Sequence, residues 1–326
     1  MKSSQRVAGA ALAAALVITV TACGNSAGPK AEGEYVIGVT TLFSSPIINE
    51  YTDGMQSAVE GTNVTLKINT SDSDVAKEAS IIDTYITQHV DAILLDPISE
   101  SGSIPAVQRA VNAGIKVVCY DTCIEESARP GLISGYLTSD QEGLGRTAGE
   151  AAAKYIAESL NGHAKIGILS CDESYAICGS RQRGFESALQ PGSYEVVAKQ
   201  EGYVVDKAKP LASDMLTANP DIDIIFGQNE GSAIGAATAV KSDRRDTVHV
   251  FGIDITTVIA GLMLEDDPAL LFTAGQDART LGAEAVEATV RVLDGEPPVE
   301  DIVYVPAVPY SATDISTLQA YIDERK

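Results

Sequence analysis

The chain has 326 residues, with 45 acidic side chains against 23 basic ones and a net charge of −22. A nucleic-acid binder needs basic patches for phosphate contacts, so this balance excludes that class. The length allows two ordinary domains, and the acidity favours solubility without specifying a fold.

At the N-terminus, Lys2 and Arg6 precede an apolar stretch from Val7 to Val20. The stretch is too short for a comfortable membrane span and has the layout of a secretory signal over 1–22. It ends in Val20-Thr21-Ala22-Cys23, and small residues before a single Cys resemble a bacterial lipobox. The resemblance implies cleavage before Cys23, lipidation of its thiol and anchoring to the outer face of a membrane. An ordinary signal peptide with a chance Cys is the alternative. After Cys23, small polar residues with one proline run to residue 33 and read as a flexible tether. No later stretch approaches the ~20 apolar residues of a transmembrane helix.

From residue 35 the chain alternates regularly. An apolar strand at 35–40 is followed by a helix over 46–60, whose Pro46 suits a first helical turn. A strand at 64–69 leads to a helix over 74–89, with Ala79, Ile82 and Ile86 at helical spacing. A buried strand at 92–95, a helix over 104–113 ending at Gly114, and a strand at 117–120 complete the first series. After residue 140 the pattern resumes with helices over 140–160, 180–189, 207–218, 231–241 and about 256–264. Strands at 165–169, 194–199, 222–227, 248–252 and 270–274 separate and follow them. A helix over 278–293 shows Leu281, Ala285, Ala288 and Val292 on one face; a strand at 302–305 and a helix at 314–323 close the chain. Short apolar strands between amphipathic helices predict βαβ units and an α/β fold of two doubly wound parallel-sheet lobes.

An internal echo fits two halves: ITQHVDAILLDP (86–97) resembles LTANPDIDIIFGQN (216–229). In each, polar residues follow a buried strand, where open α/β sheets place ligand contacts. The other strand ends behave alike. Ser44 and Ser45 follow the first strand, and Asp96 and Asp121 follow later ones. Ser170 and the loop to Arg181, then Gln228-Asn229, Asp254 and Gln276-Asp277 continue the series. Any one of these reads equally as a turn residue or helix N-cap. Their convergence on one edge favours a site for a polar small molecule.

At this point the order of motifs becomes specific. GVTTLFSSPIINEYTDGMQSA, HVDAILLDPISESGSIPAVQRAVNAGIKVVCYD, RQRGFESAL, IFGQNEGSAIGA, VFGIDIT and AGQDARTLGAEAVEATVRVLDGE follow one another over about 35–310. The series resembles the periplasmic sugar-binding proteins of the ribose-binding type, solute receptors of ABC importers with the type I periplasmic binding protein fold. The resemblance implies an N-terminal lobe over 34–139 and 277–305 and a C-terminal lobe over 140–276 and 306–326. Three crossings near 138–141, 274–278 and 304–308 would form the hinge, and the lobes would close over a ligand.

Carried over by position, Ser45, Asp96, Asp121, Thr122, Arg181, Tyr203, Asn229, Asp254 and Gln276 would line the cleft. The Asp and Asn side chains would hold vicinal hydroxyls, Arg181 would donate to hydroxyl or ring oxygens, and Tyr203 would stack on a C–H face. Gln276 would reach the ligand from a hinge segment. The chain departs from its relatives in three places. Ile47 and Ile48 stand where aromatic residues are common, and Thr122 stands where an Arg often follows the third-strand Asp. There is no Trp, and aromatics are only 5% of the chain, which weakens the usual ring clamp on a pyranose. Three carboxylates against one Arg tilt the site negative. The expected ligand is a small polyol, a furanose-like sugar or a related neutral hydroxylated compound, with an amine possible and an anion disfavoured.

Cys119, Cys123, Cys171 and Cys178 are the remaining cysteines. Four thiols in an exported chain suggest two disulfides with three possible pairings. The spacings do not match a two-residue redox motif, and zinc needs four converging ligands. The resemblance puts the first two in one lobe and the last two in the other. It thereby implies Cys119–Cys123 and Cys171–Cys178, because a cross-lobe link would resist opening.

His89, His163 and His249 follow no ligand spacing, so no metal and no cofactor are expected. No nucleophile elbow or phosphate loop appears, which argues against an enzyme. An anchored hydrolase or isomerase is the rival from that class. The implied partners are the small-molecule ligand, a membrane permease and, through the lipid, the membrane, with the protein a monomer. A receptor for a membrane signalling partner would look the same in sequence. A related repressor is excluded by the signal segment where a DNA-binding helix-turn-helix would stand.

Overall fold

The computed structural model describes residues 34–171, 175–297 and 302–326. The signal segment, the lipidation site Cys23 and the tether therefore lie outside the described residues. The chain runs β1 (Tyr35–Thr41), α1 (Pro46–Val59), β2 (Val64–Thr70), α2 (Val75–Thr87), β3 (Ala92–Leu95), α3 (Ile104–Asn112), β4 (Lys116–Tyr120) and β5 (Gly135–Ser139). It passes to α4 (Gln141–Ser159), β6 (Ala164–Ser170), α5 (Ala176–Ala188), β7 (Tyr194–Glu201), α6 (Val205–Ala218), β8 (Ile224–Gly227), α7 (Glu230–Ser242), β9 (His249–Ile253), α8 (Thr257–Met263) and β10 (Leu270–Gly275). It returns through α9 (Ala278–Leu293) and β11 (Val303–Val305), then ends in β12 (Val308–Ser311) and α10 (Ile315–Asp323).

These strands form two six-stranded sheets, ordered β11-β5-β4-β3-β1-β2 and β12-β10-β9-β8-β6-β7. All neighbours are parallel except β12, which pairs antiparallel with β10. The strand order reverses at β1/β3 and at β6/β8, the switch points where a doubly wound sheet opens a crevice at its carboxyl edge. The chain crosses between the sheets three times, after β5, β10 and β11. Two α/β lobes joined by a triple crossing are the expected architecture.

Both faces of each sheet are covered, as parallel sheets require. Tyr51 and Met55 of α1 and Leu281 and Ala285 of α9 pack with Ile37, Val39 and Leu94 on one face of the first sheet. Ile82, Tyr85 and Val107, from α2 and α3, cover the other with Ile93 and Val117. In the second lobe Leu144, Ala148 and Phe185 fill the core under α4 and α5, and the Phe185 and Phe226 rings stack at 3.9 Å between centroids. Helix starts carry side-chain caps at Ser45, Asp74, Asp140, Asn229, Thr256, Asp277 and Asp314, which satisfy orphan backbone N–H groups.

The pairs α1/α9 and α4/α5 meet backbone to backbone. A Cβ on Gly54 of α1 would lie 2.1 Å from the Arg279 carbonyl oxygen of α9, and one on Gly282 of α9 would lie 2.1 Å from that of Tyr51. The pair α4/α5 does the same through Gly145 and Gly184. Only glycine permits these approaches.

Two strands escape the sequence pattern. β5 is a five-residue run with polar Thr138 and Ser139 at its end, reached through a long loop after β4. β12 carries Pro309 inside an edge strand, where the missing N–H is tolerated and the apolar run is broken. Among the described residues no helix is long and apolar enough to cross a membrane.

Candidate functional site

The carboxyl edges of the two sheets face each other across a cavity of about 260 Å³. Asp121, directly after β4, contributes from the first lobe. Its backbone is left-handed at φ 58°, a conformation Asp tolerates better than most residues. Thr138 of the neighbouring β5 holds it there, donating through Oγ1 to the Asp121 carbonyl at 2.7 Å. Asp254, directly after β9, repeats the device in the second lobe. Its φ is 77°, and Thr273 of the neighbouring β10 donates to its carbonyl at 2.5 Å. Each lobe thus turns one carboxylate out of the sheet plane by the same local chemistry.

A hydrogen-bonded chain joins the two carboxylates across the crossing. Tyr51 of α1 donates through Oη to Asp121 Oδ1 at 2.9 Å and lies 3.3 Å from Gln276 Oε1. Gln276, just after β10, donates through Nε2 to Asp254 Oδ1 at 2.7 Å. The other Asp254 oxygen accepts from the Glu230 backbone N–H at 2.7 Å. Arg181 on α5 is 3% exposed. It donates through Nε to Gln141 Oε1 at 2.7 Å and through Nη1 to the Gln228 carbonyl at 2.8 Å. Burial raises the Asp121 carboxyl above its ordinary range, and the Arg181 guanidinium opposes that rise. Burial and the Asp121 charge push Tyr51 up as well.

Of the residues expected at the ligand, Asp121, Thr122, Arg181, Tyr203, Asn229, Asp254 and Gln276 line this cavity. Asn229 is both an N-cap and a wall residue: its Oδ1 accepts from the Ser232 N–H at 3.1 Å, while its Nδ2 donates to the Tyr203 carbonyl. Asp96 and Ser45 stand off the wall. Asp96 is fully buried and accepts at Oδ1 from Thr122 Oγ1 at 2.6 Å, so Thr122 is interposed between it and the cavity. Burial, then the neighbouring Asp121 charge, hold Asp96 well above the usual carboxylate range. Ser45 caps α1 by accepting from the Ile48 N–H.

The wall also includes Leu42, Phe43, Tyr51, Ser73, Ile98, Tyr175 and Ile177 alongside Ile47 and Ile48. Tyr51 had one signal in the sequence. It sits at helical spacing from Ile47 and Ile48, and a buried Tyr needs a partner for its hydroxyl. The disulfides join Cys119 to Cys123 and Cys171 to Cys178, each within one lobe, as the family resemblance implied. The first brackets Asp121 and Thr122; both cysteines of the second lie on the cavity wall.

The lobes touch on two sides of the cavity. The Ile47 N–H donates to Glu230 Oε2 at 3.5 Å. Elsewhere the Ala176 N–H donates to Glu100 Oε1 at 3.0 Å, and Tyr175 Oη donates to the Ile98 carbonyl. Among the described residues no cluster of three or more His, Cys, Asp or Glu could hold a metal ion.

Glu230 yields a pH-dependent expectation. Burial, and next the Asp254 charge, push its carboxyl up to about 7 from an ordinary 4.5. The folded chain then holds that proton more tightly than the unfolded chain. Its contribution is constant below pH 4.5, falls as pH rises towards 7 and is flat above. Glu230→Gln should therefore be more stable than the parent at pH 8 by on the order of 1–3 kcal/mol, and nearly equal to it at pH 4.5. Urea unfolding at the two pH values checks this; an equal gain at both would contradict the assignment.

Comparison with known proteins gives a consistent result. A family model described as a periplasmic binding protein domain matches residues 37–297. The chain is 32% identical over 306 residues to the ABC transporter periplasmic-binding protein YphF of Escherichia coli K12, covering 92% of this chain and 93% of that protein. It is 28% identical to the ribose import binding protein RbsB of the same organism, covering 88% of this chain and 93% of the other. Among solved structures, an ABC transporter solute-binding protein from Bacillus halodurans C-125 with bound myo-inositol superposes with a TM-score of 0.78. The identity is 21%, and the match covers 89% of this chain and 98% of that one, which establishes a shared fold.

Proposed function

The chain belongs to the periplasmic binding protein family, and on that premise we propose that it captures a neutral sugar or polyol between its lobes and delivers it to a membrane permease. The family consists of extracytoplasmic solute-binding proteins rather than enzymes. The observation that carries the ligand class is the hydrogen-bonded chain Asp121–Tyr51–Gln276–Asp254, which lines the cavity and ties the lobes together. Hydroxyl groups pair well with such a mixture of carboxylate, amide and guanidinium, and one ligand touching both carboxylates would favour the closed arrangement over an open one. Two wall carboxylates against one guanidinium disfavour an anion. The ribose import named for one relative and the myo-inositol bound in one solved neighbour fit the same chemistry.

A thermal-shift and calorimetric screen of pentoses, hexoses, polyols, amino sugars and small acids tests the reading. Stabilisation by neutral hydroxylated compounds supports it, and stabilisation by acids alone overturns it. For whichever compound binds, Asp121→Asn should weaken affinity at least tenfold while leaving the fold intact, because Asn tolerates the same left-handed backbone but loses a charged acceptor.

The anchoring belongs to the same proposal. The resemblance of residues 20–23 to a lipobox supports lipidation of Cys23 and a mature protein tethered outside the membrane, and the protein is taken to act as a monomer. Metabolic labelling with a fatty acid should mark the parent and not Cys23→Ala, and sedimentation should give a single-chain mass.

A further inference from the structure

Tyr51 has one hydroxyl proton and two acceptors for it. Its Oη stands 2.9 Å from Asp121 Oδ1 and 3.3 Å from Gln276 Oε1. An amide oxygen and an ionised carboxylate only accept, so one of the two bonds is always unmade. The shorter distance gives the proton to Asp121 in this structure. The ring cannot shift to share it evenly. It is 1% exposed and meets Tyr120 edge-on at 5.7 Å between centroids, and Tyr120 donates its own hydroxyl to the Thr40 carbonyl at 2.8 Å. The Tyr51 backbone is fixed too: its carbonyl oxygen would lie 2.1 Å from a Cβ on Gly282 of α9, the helix that starts just after Gln276. What remains free to turn is the hydroxyl, which burial and the Asp121 charge keep protonated.

The two carboxylates at the ends of this chain are unequally filled. Asp254 accepts at both oxygens, from Gln276 Nε2 and from the Glu230 N–H, each at 2.7 Å. Asp121 is 8% exposed and lines the cavity, and its carboxylate accepts at Oδ1 alone among the described residues. A ligand hydroxyl therefore meets its strongest open acceptor at Asp121 Oδ2. A carboxylate that accepts a second donor spreads its charge and holds the first less firmly. Along Gln276 the effect has the opposite sense. An amide that accepts at its oxygen donates more strongly through its nitrogen, here to Asp254.

We propose that Tyr51 is a positioning residue that relays occupancy of the cleft to the crossing after β10. A ligand hydroxyl donating to Asp121 releases the Tyr51 hydroxyl, which turns to Gln276 and tightens the Tyr51–Gln276–Asp254 chain that holds the lobes together. The inference rests on the reading of the site as a sugar or polyol receptor and deepens it. A solute without a donor at the Asp121 position enters the cavity and leaves the chain unmade, so closure selects for that hydroxyl.

Calorimetry and small-angle X-ray scattering on the mature protein test the relay. The probe is the tightest binder from a panel of pentoses, hexoses and polyols that includes ribose, myo-inositol and glycerol. Tyr51→Phe keeps the ring and removes the hydroxyl, and should weaken the probe about tenfold, the worth of one net hydrogen bond. In a Gln276→Met background the hydroxyl has no amide to turn to, and the same change should cost less than about twofold. A hydroxyl that served only as wall or ligand contact would cost the same factor in both backgrounds, and that result overturns the relay. Saturating probe should shrink the radius of gyration of the parent, and shrink that of Tyr51→Phe by less than half as much. Equal compaction also overturns the relay, and this arm needs no binding by the Gln276 variant. In either case the receptor reading stands. If no member of the panel binds the parent, both fall.

Discussion

Replacing Arg181 by methionine should lower the unfolding free energy by about 3–5 kcal/mol at neutral pH and weaken ligand binding at least a hundredfold. Arg181 is the cation that faces Asp121, and both are buried. Methionine fills a similar volume, so the expected loss comes from charge and hydrogen bonding more than from a cavity. Without the guanidinium, Gln141 Oε1 and the Gln228 carbonyl lose their donors and Asp121 loses its counter-charge. Asp121 would respond by holding its proton more tightly. The deficit should therefore shrink in acid, where that carboxyl is neutral and nothing is left uncompensated. Arg181→Lys keeps a charge but cannot direct donors to Gln141, Gln228 and a ligand at once, so it should recover part of the stability and little of the binding. Chemical unfolding at pH 7 and pH 5, with calorimetry on the ligand from the screen, measures each part. A methionine variant within 1 kcal/mol of the parent at pH 7 would refute the electrostatic role.

Gly184→Ala is the second large effect, at about 3 kcal/mol or more of destabilisation. The added Cβ would lie 2.0 Å from the Glu142 carbonyl oxygen of α4 and 2.8 Å from the Arg146 backbone nitrogen. Backbone atoms cannot swing aside as a side-chain tip can, so α4 and α5 must separate. Gly145 faces the same contact from the other helix, where its Cβ would meet the Arg181 carbonyl at 1.9 Å. Separation moves Arg181 away from Gln141, so binding should weaken along with stability. Once either alanine has pushed the helices apart, the second should cost less, and the double variant should be less destabilised than the sum of the singles. Gly261→Ala provides the contrast. It lies in α8 with nothing within 4 Å of its Cβ, and a better helix former there should leave stability unchanged or raise it by up to ~1 kcal/mol. Unfolding midpoints of the four variants check the set; a near-neutral Gly184→Ala would show that the interface can open cheaply.

Both effects reach the site through elements whose existence was legible and whose contacts were not. The helix carrying Arg181 reads from its own periodicity, and Arg181 from its motif RQRGFESAL. That the guanidinium is held by Gln141 reflects a meeting of residues forty positions apart across α4 and α5. Tyr51 is a similar case. Its spacing from Ile47 and Ile48 marks an apolar helix face, and a core face and a cavity wall share the same 3.6-residue period. Asp96 shows the reverse. It stands at a strand end like Asp121, yet Thr122 lies between it and the cavity.

By itself, the sequence determined the alternation of strands and helices, the two parallel-sheet lobes and the acidic and amide residues at the strand ends. These follow from local periodicity and from the rule that parallel sheets present ligands to their carboxyl edges. The tertiary structure decided which of those strand-end groups reach the cavity, which aliphatic side chains share its wall, and how β5 and β12 close the sheets. The physical reason is that each of these depends on a neighbour distant in sequence. Asp121 and Asp254 are aimed by threonines on adjoining strands, β12 is completed only by pairing with β10, and the cavity exists only where the lobes meet.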